Sequence, residues 1–158
     1  MTDSVRGGIV PADEGQLMVF DGAERRMKVT SEQTEGHLTA FVSSYPVGVP
    51  HHLHVHHNAI ESFFILNGAA RFYIDGAIEE AEAGTFLSVP RGVVHGFVPI
   101  VEGTRALIMF TPSAMEGFWA ELERATAAGT LDADYLQRLA REHGAEGVGQ
   151  LPDEMLRP

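Results

Sequence analysis

His51-His52-Leu53-His54-Val55-His56-His57-Asn58-Ala59-Ile60-Glu61 holds five histidines in seven residues, with a carboxylate four positions beyond the last. His54 and His56 are separated by one residue, so on an extended strand both point to the same face. Their Cα atoms then lie roughly 6.6 Å apart at 3.3 Å per residue. Two imidazoles at that spacing can converge on one ion with metal–nitrogen distances of about 2.0–2.1 Å. Glu61 can return across a short turn as an oxygen ligand. His95, just past Pro90-Arg91-Gly92, can close the set from a second hairpin. Three nitrogens and one carboxylate suit a borderline divalent metal and leave positions open for water, substrate or dioxygen.

The rest of the chain narrows what such a site can be. At 158 residues it is expected to form one domain with a sizeable core of its own. Cysteine is absent, which excludes disulfides, zinc–thiolate sites, iron–sulfur clusters and thiol catalysis. The net charge of −11 argues against nucleic acid and against anionic membrane surfaces as partners. Lys28 is the only lysine, so Schiff-base chemistry is a weak idea. Met1-Thr2-Asp3-Ser4 has neither a basic nor an apolar leader segment, and no apolar run approaches the ~20 residues of a membrane span. A cytoplasmic protein is expected.

Up to about residue 112, short β-rich runs alternate with Gly, Pro and Asp turns, which predicts an all-β region. Strands are expected at Gln16–Phe20, Arg26–Thr30, His37–Tyr45, His51–His56, Ser62–Asn67, Ala70–Ile74, Thr85–Val89, His95–Pro99 and Arg105–Phe110. Asp21-Gly22, Asn67-Gly68, Asp75-Gly76, Ala83-Gly84 and Glu102-Gly103 mark the turns. So many short strands imply an antiparallel barrel or sandwich. After Pro112 the period becomes helical. Ser113 and Glu116 form a capping-box pattern, Met115, Phe118, Trp119, Leu122 and Thr126 share a face, and Gly129 supplies the stop. A second helix is expected over Asp132–His143, ending at Gly144.

Two spaced motifs bind these features together. The first runs Gly48, His54-Val55-His56, Glu61, Gly68; the second runs Gly84, Pro90-Arg91-Gly92, His95 and ends at Pro99. Together they resemble the two signature motifs of the cupin superfamily, and the chain looks most like its small single-domain quercetinase-like members. The one departure is Pro99, where the family often has Asn at a position that is not a metal ligand. The resemblance implies an antiparallel cupin or jelly-roll β-barrel with two C-terminal α-helices. The barrel would span residues 1–112, with motifs at 48–68 and 84–99. A helical extension, 113–158, would pack on it within the same domain.

By the same resemblance His54, His56, Glu61 and His95 are the ligands of one divalent transition metal per chain: Fe, Mn, Ni, Co, Cu or Zn. An isolated His-x-His is more often a polar pair on a solvated strand; Glu61 and His95 at motif spacing shift the balance toward ligation. Glu61 is also the expected catalytic base. His52 shares the parity of His54 and is expected near the site mouth as a proton shuttle or substrate-orienting group, or else as a solvated residue. His51 and His57 are read as peripheral. Parity also assigns Phe63, Ile65, Phe72 and Phe97 to the pocket, although such residues would be core in any barrel. The pocket would suit a small apolar or aromatic substrate. Arg71 and Arg91 are read as surface residues before anion partners.

The function implied by the resemblance is a mononuclear metal-dependent dioxygenase cleaving a flavonol or similar enol or polyphenol with O2. A non-oxidative metal enzyme of lyase, isomerase or polyketide cyclase type is the alternative, and a non-catalytic ligand-binding barrel the third. A homodimer is expected, as in resembling proteins.

Overall fold

The computed structural model describes residues 8–157. The first residues, and with them the expectation about a leader segment, lie outside that range. The strands are β1 (Leu17–Phe20), β2 (Ala23–Val29), β3 (Thr39–Tyr45), β4 (His51–His56), β5 (Ile60–Asn67), β6 (Ala69–Ile74), β7 (Ala77–Glu82), β8 (Phe86–Val89), β9 (His95–Pro99), β10 (Thr104–Thr111) and β11 (Ala145–Gly149). The helices are α1 (Phe118–Ala127) and α2 (Ala133–Glu142). Two antiparallel sheets face each other. One has the order β1-β2-β3-β10-β5-β8 and the other β11-β4-β9-β6-β7. Their jelly-roll arrangement is the fold class expected from the sequence.

Local chemistry explains the hairpins. Asp21-Gly22 and Asp75-Gly76 are two-residue turns with positive φ at both positions (51° and 72°, 48° and 88°). That backbone matches the right-handed twist of the flanking strands. Between the sheets lie Phe41, Phe63, Ile65, Phe72, Phe97, Ile108 and Phe110, all buried. A smaller cluster forms where Leu151 and Met155 cover Val98 and Tyr73 on the outer side of the five-stranded sheet. Arg71 ties that segment down, donating to the carbonyls of Met155 and Arg157 and pairing with Glu80 at 2.9 Å. Among the described residues no helix is long and apolar enough to cross a membrane.

Three sequence expectations change here. First, α1 begins at Phe118 rather than at a Ser113/Glu116 capping box. Glu116 is drawn away instead, accepting the Ser31 N–H at 2.6 Å and the Thr39 hydroxyl at 3.2 Å, while Ser113 Oγ is left without a partner. Second, β7 was not anticipated, because Ala-Ile-Glu-Glu-Ala-Glu has little β propensity of its own; pairing with β6 imposes the strand. Third, the C-terminal region is not helical only. After α2, capped by Asp132 accepting from Tyr135 N–H, the chain returns as β11 along the edge of β4. The pairs Gly147↔His54 and Ala145↔His56 hold the histidine strand from outside.

The most consequential irregularity is in β4. His54 pairs with His95 and His51 with Phe97, so three steps along β4 match two along β9. That is a β-bulge, with two residues opposing Gly96. A Cβ at Gly96 would stand 2.7 Å from the His51 carbonyl oxygen and 3.1 Å from the His52 carbonyl carbon. Glycine therefore lets the bulge cross, and the bulge reverses side-chain parity upstream of His54.

Candidate metal centre

Three of the four predicted donors come from the five-stranded sheet: His54 and His56 from β4, His95 from the start of β9. The fourth, Glu61, comes from β5 of the opposing sheet. The cluster therefore bridges the two layers. One donor atom from each residue lies within 4.8 Å of all the others. Glu61 Oε2 is 2.8 Å from His95 Nε2, 3.0 Å from His56 Nε2 and 3.8 Å from His54 Nε2. Glu61, His56 and His95 are buried, and His54 is partly open.

The outer ring nitrogens define the inner ones. His54 Nδ1 donates to the His52 carbonyl at 2.8 Å, and His95 Nδ1 donates to the Val93 carbonyl at 3.0 Å. A neutral ring that donates from Nδ1 presents a bare lone pair at Nε2, the arrangement typical of metal-bound imidazole. His56 Nε2 is buried and makes no hydrogen bond, although Glu61 lies beside it. Lone pairs and a carboxylate oxygen thus converge on one small volume, and a cation at the centre relieves their repulsion. The residues present fit a divalent metal held by three nitrogens and one oxygen.

Without a metal, protons take the place of the ion at these same nitrogens. Burial works against the Glu61 carboxylate. The His56 charge and the close ring nitrogens of His54, His56 and His95 outweigh it and hold the group well below the usual carboxylate range. Burial likewise disfavours a charged His95, but the hydrogen bond and charge of Glu61 and the Val93 carbonyl raise it overall. A proton on His95 stands where a metal charge would act. His54 is lowered, chiefly by burial, against the opposing pull of Glu61.

Three of the four donors, His54, His56 and Glu61, line a cavity of about 260 Å³. Among the predicted pocket residues, Phe97 lines it. Phe63, Ile65 and Phe72 do not; they are packed in the core behind it, at 1–3% exposure. Parity assigns a face, and in a two-layer barrel most of an inner face is core. His52 is displaced by the bulge. It touches the cavity rim but is otherwise exposed, with Nδ1 accepting the Leu151 N–H at 3.3 Å. The inward position belongs to His51, whose ring stacks on Phe97. Burial first, then the charges of Arg25 and His54, push its pKa down to about 3. His57 faces outward to Glu146 at 3.3 Å.

Arg25 was missed altogether. It is 2% exposed, lines the cavity, and its guanidinium carbon sits 3.7 Å from the centre of the Trp119 ring. The signal was present: Ala23, Arg25 and Met27 alternate inward along β2, but the expected strand began three residues too late, at Arg26, and left Arg25 out.

Residues 41–111 match the family described as Cupin domain. Quercetin 2,3-dioxygenase of Bacillus subtilis (strain 168) is 25% identical over 116 residues, 72% of this chain and 34% of that protein. The chain thus spans about a third of that relative's length. KdgF from Halomonas sp. superposes with a TM-score of 0.64 at 18% identity, covering 70% of this chain and 98% of that one. An RmlC-like cupin from Shewanella frigidimarina NCIMB 400 gives 0.62 at 22%, covering 72% and 96%. Pac13, described as a nucleoside dehydratase, gives 0.60 at 10%, covering 94% and 97%. These structural likenesses bear on fold alone. Residues 41–111 thus resemble a cupin domain, and the two-sheet barrel around them shares the fold of these solved structures.

Proposed function

We propose that the chain is a mononuclear metal-dependent dioxygenase that opens a flavonol or similar enol or polyphenol with O2. The observation that carries the reading is the placement of Glu61 among three imidazoles beside a cavity with aromatic side chains in its wall. The partial likeness to a quercetin dioxygenase supports it. His54, His56, His95 and Glu61 would hold the metal. When bound, such an ion supplies Lewis acidity toward a substrate oxygen and, if redox-active, a place for dioxygen to react.

The protein's own contribution is orientation and proton transfer. Phe97, Phe110 and Phe118 pack against a planar body and exclude water from it. Glu61 takes the proton of the substrate hydroxyl. A carboxylate held so far below its usual range is a weak base. The hydroxyl it deprotonates must itself be acidic, as in an enol or a phenol beside a carbonyl. His51 is neutral near pH 7 and offers a hydrogen bond rather than a proton store. His52, at the rim, is assigned no step.

Lyase, isomerase or cyclase chemistry is the second reading. The fixed charge of Arg25 in the cavity wall favours it, because a cation there stabilises an enolate without dioxygen. Oxygen-electrode assays across a flavonol and polyphenol panel, repeated under strict anaerobiosis, separate the two. Oxygen uptake matched to substrate loss supports the dioxygenase; undiminished anaerobic turnover eliminates it.

A further inference from the structure

Arg25 is a buried cation that the fold leaves largely unsatisfied. Its side chain emerges from β2 between two apolar neighbours, Ala23 and Met27, that face the same interior. The guanidinium makes one long hydrogen bond, Nη1 to the Ala23 carbonyl at 3.4 Å. Among the described residues no carboxylate forms a salt bridge with it; the charges of Asp21 and Glu61 act on it only from farther off. Burying an ion in this way is unfavourable unless something else compensates. The ring of Trp119 at 3.7 Å, with Tyr45 at 6.0 Å, compensates in part. Stacking uses the face of the guanidinium and leaves the N–H groups along its edge free, the geometry that receives a carboxylate.

Two neighbours share the predicament. Trp119 Nε1 and His51 Nε2 are both buried without a hydrogen bond, and both residues stand in the wall of the same cavity as Arg25. Three polar groups without adequate partners around one cavity, with Phe97, Phe110 and Phe118 between them, describe a ligand. It has an apolar or aromatic body and an anionic end.

We infer that the cavity selects a carboxylate-bearing ligand, anchored at Arg25 with Trp119 and His51 as further partners, while its oxygenated end reaches the His54–His56–Glu61–His95 cluster. The inference rests on the proposed function in taking this cavity as the substrate site, and narrows the substrate to a carboxylated enol or phenol. Charge-assisted hydrogen bonds of this kind are expected to favour the acid over its neutral amide by about 10- to 100-fold.

The test is calorimetric binding of cinnamate and benzoate against cinnamamide and benzamide. It uses the protein as purified and again after chelation, with no turnover required. The acids are expected to bind more tightly in both forms, and Arg25→Gln to bring acid and amide to equal affinity. If Arg25→Gln fails to fold by circular dichroism, Arg25→Lys keeps the charge, loses the paired donors and is expected to show a reduced preference. Equal binding of acid and amide by the unaltered protein overturns the inference. So does a preference present only before chelation, which would place the carboxylate at the metal cluster. Failure of both acids to bind folded protein overturns it too. Loss of the dioxygenase reading leaves these affinities untouched, whereas flavonol turnover without any acid preference removes this inference alone.

Discussion

The imidazole of His51 lies flat against the phenyl ring of Phe97, centroids 4.3 Å apart and planes 7° from parallel. Tyr45 meets both rings edge-on, at 4.9 Å and 5.2 Å. The β4 bulge over Gly96 makes this stack possible, since regular pairing would turn His51 outward and His52 inward. The sheet irregularity therefore decides which histidine faces the cavity.

His51 should leave a pH signature. Its folded pKa of about 3 lies below the ordinary 6.5. As pH falls below 6.5, the unfolded chain takes up a proton that the folded chain refuses, so stability is lost between 6.5 and about 3. His51→Phe keeps a ring on Phe97 and removes the titration. Thermal melts across this range should show a shallower decline for the variant; parallel curves would mean that the ring titrates freely.

Gly96→Ala should disturb both fold and site. Two of the closest atoms to the added methyl are backbone, at 2.7 and 3.1 Å, and cannot swing aside. A destabilisation of about 2 kcal/mol is expected, measured by denaturant unfolding. Weaker metal binding should accompany it, because His54 adjoins the displaced bulge. A variant with native stability and native metal affinity would contradict the packing described.

Metal should staple the two sheets. The imidazoles come from one layer and Glu61 from the other, so binding to the folded state alone raises the melting temperature by mass action. Chelation should lower the midpoint of the unaltered protein by several degrees and leave that of His95→Ala unchanged. Circular dichroism of His95→Ala should still report the barrel, whose aromatic core does not depend on the ion.

Glu61→Gln separates ligation from base catalysis. The amide retains an oxygen donor but cannot take the substrate proton, so turnover should fall about 100-fold or more while metal occupancy falls much less. Equal losses would reduce Glu61 to a ligand. In metal-free protein the ionised carboxylate contributes stability that is present above 4.5 and lost as pH falls through its lower folded-state value. The gap between wild type and Glu61→Gln should therefore close on acidification below pH 4.5.

What the sequence made legible was whatever depends on fixed spacing. His54, His56, Glu61 and His95 converge as their positions indicate, and Asp21-Gly22 and Asp75-Gly76 turn as their residue types require. What it concealed depends on long-range pairing. A bulge changes parity without changing composition, so His51 and His52 exchanged places. The Gly-rich run Ala145–Gly149 has no strand signal until the edge of β4 supplies one. Glu116 reads as a helix cap until Ser31 and Thr39, far away in sequence, claim its carboxylate. Arg25 fell outside the expected strand, which started at Arg26, so its inward register along β2 went unread.

The proposed activity depends on the four donors holding one ion. Elemental analysis of protein purified without a polyhistidine tag, alongside His54→Ala and His95→Ala, tests that directly. The expected result is about one divalent transition metal per chain in the unaltered protein and nearly none in folded samples of either variant. Metal content that is equally low in all three after loading, or equally high in all three, would contradict the site.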